Sequence, residues 1–141
     1  MNERFPIEAQ MIMRERFGRD ALIALATVDD KIPSVRTVNS YYEDGTFYVI
    51  TYALSSKMKQ IKNNPKVAIC GDWFTAHGVG ENLGHVLDEK NAKIMSTLRS
   101  AFSSWYGNGH VNETDPNTCI LRIRLTDGIL LSNGKKYEIE F

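Results

Sequence analysis

The strongest constraint in this sequence is a pair of hairpin signals, Glu43-Asp44-Gly45 and Asn133-Gly134, each set between strand-like runs. Asp-Gly and Asn-Gly supply the positive φ that a tight antiparallel turn requires. The first joins residues 34–42, which alternate through Val35, Val38 and two tyrosines, to Thr46–Tyr52. The second joins Thr118–Ser132 to residues 135–141. Ahead of the first pair, the apolar run 21–28 reads as another strand, turning at Asp29-Asp30-Lys31. Three strands joined by tight turns make an antiparallel meander.

Helical signals punctuate this pattern. Ile7–Phe17 has Ile7, Met11 and Ile12 at helical spacing, Pro6 at its start and Gly18 at its end. Residues 55–63 read as a short helix capped by Ser55 or Ser56, with Met58 and Ile61 as its apolar face. Asn64-Pro65 stops it. Residues 66–73 form a nearly continuous apolar strand, and 75–87, although glycine-rich, is expected to be extended. The longest helix is expected over residues 88–105, capped by Asp88, with Ala92, Met95, Leu98 and Phe102 on one face. A polar loop follows. Six or seven mostly antiparallel strands with helices at the ends define an α+β chain closing into a barrel, expected as one domain over residues 1–141.

Composition narrows the function classes. Lys plus Arg equals Asp plus Glu at 17 each, so the net charge is zero and a nucleic-acid partner is not expected. No apolar run is long enough to span a bilayer, so no membrane partner is expected either. The N-terminal stretch lacks the apolar centre of a secretion signal, and the expected location is cytoplasmic. Cys70 and Cys119 are then expected as reduced thiols, both buried because both sit in apolar runs.

The chemistry concentrates in Ser55-Ser56-Lys57-Met58-Lys59-Gln60-Ile61-Lys62-Asn63-Asn64-Pro65. A hydroxyl pair at a helix start, with a lysine in the first turn, has free N–H groups and the positive dipole end available to a phosphate. The plainer reading is a capped surface helix with solvated lysines. Arg36, one strand away, adds a guanidinium fork suited to a dianion, or is an exposed strand arginine. Thr51 and Tyr52 end the strand that feeds the helix.

Together these residues resemble the pyridoxamine 5′-phosphate oxidase-like family, whose members are flavin-binding split β-barrels. The resemblance runs from Phe47-Tyr48-Val49-Ile50-Thr51 through the serine–lysine helix to Trp73, and more broadly over residues 21–87. It implies an FMN cofactor, with phosphate and ribityl chain held by Arg36, Thr51, Ser55 and Lys57. The adjoining Thr37 and Ser56 fall within the same motif, and Val38, Ile50 and Tyr52 occupy positions that line the isoalloxazine. It further implies a homodimer with the flavin between subunits and the residue 74–86 strand facing the partner. There Gly78 and Gly80 mark a bulge or a close approach to flavin, and His77 is a candidate flavin or substrate ligand or a plain surface residue. Tyr41 stands where the vitamin oxidases carry a second lysine, and residues 137–141 lack their Trp- and Arg-containing tail. The resemblance therefore implies that FMN binding is expected to carry over and vitamin oxidation is not.

The sequence offers no nucleophile triad, acid–base pair or metal set, as expected of a cofactor-run oxidoreductase of flavin-reductase or general-stress type. NAD(P)H is the expected donor by analogy alone, and a deazaflavin suits the same helix start. The alternative is a non-catalytic flavin or haem binder on the same barrel, with His77, His85 or His110 as the axial ligand.

Overall fold

The computed structural model describes residues 4–141. Chain order is α1 (Ile7–Phe17), β1 (Ala21–Asp29), β2 (Ile32–Glu43), β3 (Thr46–Tyr52), α2 (Ser56–Asn63), β4 (Lys66–Gly71), β5 (Phe74–His85), α3 (Ala92–Ala101), α4 (Ser103–Tyr106), β6 (Thr118–Ser132) and β7 (Lys135–Glu140). The turns form where their residues permit. Asp44 and Gly45 both take positive φ, 47° and 77°, as do Asn133 and Gly134 at 52° and 76°. Those are the dihedrals of the hairpin turns that match strand twist.

The strand order is β3-β2-β1-β4-β5-β6-β7, and β3 also pairs with β6. That pairing runs antiparallel from Thr46 opposite Arg124 to Tyr52 opposite Thr118. Six strands thereby close into a barrel, with β7 added along β6. The architecture is the α+β split barrel expected from the sequence. Closure satisfies the strand edges of β3 and β6 that would otherwise be left unpaired.

Alternation sorts the side chains. On β2, Val38, Ser40 and Tyr42 point inward and are buried, while Val35 and Thr37 point out. The barrel interior holds Phe47, Ile23, Leu25, Leu121 and Ile123, and α1 seals it with Met13 and Phe17. Phe17 packs edge-on against Phe47 with centroids 5.6 Å apart. A second cluster lies outside the barrel wall, where Met95, Leu98 and Phe102 pack over Ile120 and Ile50.

Two expectations need correction. The helix expected over 88–105 is not continuous. Asp88 caps only a 3₁₀ turn, Glu89–Asn91, by accepting from the Lys90 N–H. The helix then breaks again at Phe102, whose φ and ψ are −95° and 14°. The buried Asn91 amide donates to the Leu83 and His85 carbonyls, and the buried Phe102 ring precedes two serines, which are weak helix formers. Cys70 is also exposed rather than buried. It lies on the outward face of β4, because inward positions there belong to Val67 and Ile69. Both cysteines are free.

Truncating the central Phe47 to Ala should cost about 3–5 kcal/mol, whereas Leu87→Ala at an exposed site should stay within about 0.5 kcal/mol. Guanidinium unfolding of both variants checks the assignment of the core, and equal losses would contradict it.

Candidate functional site

Four elements, β1, β2, β3 and α2, meet at one mouth of the barrel. Arg36 points inward from β2, opposite Leu25. Its guanidinium donates to the Leu25 carbonyl at 3.1 Å and to the Thr27 hydroxyl at 2.7 Å. The other terminal nitrogen donates to Gln60 Oε1 of α2 at 3.3 Å, and the fully buried Thr27 hydroxyl donates to that same oxygen. Lys57, one turn before Gln60 on the same helix face, donates to Thr51 Oγ1 at 2.7 Å and to Ser55 Oγ at 3.4 Å. Barrel closure sets Thr51 opposite Cys119.

This cluster carries two cations and no counter-charge. Among the described residues, every ion pair lies elsewhere, and neither Arg36 nor Lys57 meets a carboxylate. Burial first, and then the neighbouring Arg36, pull the Lys57 ammonium below the usual lysine range. Burial likewise lowers Arg36 and pushes the Cys119 thiol up to about 11 against the opposing pull of Lys57, so Cys119 is a neutral packing group at pH 7. The Ser55 side chain makes no capping bond, and the first turn of α2 contains no acid. Free N–H groups, the dipole's positive end and two unneutralised cations therefore converge. That is the chemistry of a phosphate dianion site.

The other sequence-derived candidates fall in different places. Ser56 begins α2. Val38 is packed in the barrel core, and Ile50 packs beneath α3. Ile50, Thr51 and Tyr52 line a cleft of about 260 Å³ with His110, Val111 and Asn112. Thr37 and His77 lie on the opposite, outer face of the sheet from Arg36. His77 Nδ1 is 2.9 Å from Asp127 Oδ1, a contact that lowers the Asp127 carboxyl below its usual range. The pairing register shifts between His77 and Gly78, where the extra residue, Thr126, lies on β6, and β5 keeps its regular alternation with Ala76 and Gly78 inward. An added Cβ at Gly78 would lie 2.8 Å from the Arg124 carbonyl oxygen, so this glycine is required by strand packing. The three histidines do not converge, and among the described residues no group of three His, Cys, Asp or Glu could hold a metal.

Sequence reasoning missed Thr27 and the part played by Gln60, to which it gave no role in binding. The available signal was spacing: Gln60 sits three residues after Lys57. The segment after α4 is also more firmly held than its polar composition implies. Glu113 accepts from Arg99 Nε at 2.8 Å and from the Tyr106 hydroxyl. The Asn117 carbonyl accepts from the Ala53 N–H at 2.7 Å.

Residues 12–132 match the family model described as pyridoxamine 5′-phosphate oxidase, so the chain belongs to that family. No curated protein matches the sequence significantly. Solved structures share the fold. General stress protein 26 from Bacillus anthracis is similar with a TM-score of 0.65 at 21% identity, over 86% of this chain and 92% of that one. A NimC/NimA family protein from Clostridium acetobutylicum gives 0.64 at 19%, covering 92% of each. An FAD-binding protein from Mesorhizobium loti gives 0.62 at 17%, over 84% and 90%. Among the described residues, no helix is long and apolar enough to cross a membrane.

The depressed Lys57 pKa means that the folded state resists this charge. Lys57→Met should therefore stabilise the ligand-free protein at neutral pH, by less than about 1 kcal/mol because solvent screens this half-buried charge. The gain is present below the folded-state pKa of Lys57 and fades as pH rises through that value towards the ordinary 10.5. Denaturant unfolding at neutral and alkaline pH reads both, and a destabilised variant would mean that Thr51 and Ser55 outweigh the opposing effects.

Proposed function

We propose that this protein binds a flavin mononucleotide unit, as FMN or within a larger flavin nucleotide, at the Arg36–Lys57 cluster and works as a homodimeric flavin-dependent oxidoreductase of the flavin-reductase or general-stress kind. One observation carries the reading: two adjacent, partly desolvated cations at an uncapped helix start, with only neutral hydrogen-bond partners. Family membership and the flavin-binding neighbour support a flavin over other phosphates. Gln60 and Thr27 hold the Arg36 fork in place, and Thr51 and Ser55 hold the Lys57 ammonium, so the phosphate meets a preformed site.

A bound flavin supplies the hydride and electron transfer. The chain's share is binding, orientation and shielding from water. NAD(P)H is the proposed electron donor. Two free thiols suit a cytoplasmic setting.

The dimer reading has its own support. The outward face of β1, β2, β4, β5 and β6 presents Leu22, Val35 and Ile129, which are 64%, 70% and 41% exposed. Register places them around a small-residue centre of Ala24, Ala26, Ala68 and Cys70. Contiguous exposed apolar surface of this kind marks an interaction face, and Thr37 and His77 lie on it.

Two measurements test this. Lys57→Ala should weaken FMN about 10- to 100-fold while leaving riboflavin almost unchanged, because only FMN carries the phosphate. Equal losses for the two ligands would contradict the assignment. Light scattering should give a dimer that Val35→Glu dissociates, and a wild-type monomer retaining stoichiometric FMN would contradict the shared site.

A further inference from the structure

A separate cleft of about 670 Å³ opens on the other flank of α2, between that helix and β5. Its apolar lining comes from Ala53, Leu54, Met58, Ile61 and Pro65, and Gly80 lies beneath. The volume is that of a small-molecule site. Gly80 lets β5 run close under the helix, since a Cβ there would lie 3.0 Å from Ile61 Cγ2. Lys59 and Lys62 line the cleft with exposed side chains, and among the described residues neither meets a carboxylate. Asn82 also lines it. Its side-chain oxygen accepts from the Gly84 N–H at 2.8 Å, which leaves the amide N–H groups as donors. An apolar floor, an amide donor and two rim cations together suit a purine nucleotide, whose ring is flat and whose phosphate is anionic.

The cleft and the Arg36–Lys57 cluster cannot share one phosphate. Lys59 follows Lys57 by two residues, about 200° around the helix axis at ~3.6 residues per turn. Lys57 and Gln60 define one flank, and Lys59 and Lys62 another. At the N-terminal end of α2, Ala53 and Leu54 line the cleft and the adjacent Ser55 touches Lys57. A ligand reaching both must continue past the first phosphate and round that end, where the uncapped N–H groups of the helix start suit a second phosphate.

We infer that this cleft takes the adenylate half of a flavin dinucleotide, so that the protein prefers FAD to FMN. The inference rests on the flavin reading above and extends it to a surface that FMN does not reach. The test is a titration of the ligand-free protein with riboflavin, FMN and FAD, followed by flavin fluorescence, for the wild type and for a Lys59→Glu/Lys62→Glu double variant. Both lysines are exposed, so folding should be unaffected. FAD should bind the wild type at least about 10-fold more tightly than FMN. The double variant should lose that advantage while its FMN affinity stays the same. FAD no tighter than FMN, or an advantage that survives charge reversal, would overturn the assignment of the cleft. The flavin reading fails separately, if FMN binds no more tightly than riboflavin.

Discussion

The pairing of β3 with β6 is the constraint on which the rest of the molecule depends. These strands are far apart in sequence, and their ladder turns an open sheet into a barrel. The same ladder fixes Thr51 opposite Cys119 and leads the chain directly from β3 into α2 across the barrel mouth. It also gives the outer wall on which α3 lays its apolar face over Ile50 and Ile120. Without closure, Arg36 on β2 and Lys57 on α2 would have no reason to converge.

Convergence is costly for the protein alone. Two like charges face one another in a setting that partly excludes water, and only hydroxyls, a carbonyl and an amide oxygen answer them. Folded proteins ordinarily give such groups a carboxylate. Elsewhere this chain does so, as with Arg99 and Glu113 or Arg122 and Glu81. At the mouth it does not, and on the proposed reading a bound dianion would offset the repulsion. The neutral partners have a second effect. They hold both cations in one geometry before a ligand arrives, which lowers the ordering cost of binding.

Much of this was legible in the sequence because the informative residues act locally. Asp44-Gly45 and Asn133-Gly134 dictate their turns through φ alone, so the strands around them could be read directly. Arg36, Thr51, Ser55 and Lys57 could be grouped through resemblance to a family motif, although nothing in their spacing reports how close they come in space. What sequence reading missed depends on non-local packing. Cys70 looks buried within its apolar run, yet strand parity turns it outward. The break at Phe102 follows from where its ring fits against the wall, while the helical periodicity of 88–105 continues through it. Thr27 carries no motif at all and enters the site only because β1 runs beside β2 beneath α2.

The central claim is that the mouth of this barrel is built to hold a flavin by its phosphate. The most direct measurement is the absorbance spectrum of the purified protein, repeated after FMN is added and the unbound excess removed by desalting. The account predicts a retained two-band flavin spectrum at one flavin per chain. A colourless protein after desalting would contradict it, leaving the barrel intact but the two unpaired cations without the ligand assigned to them.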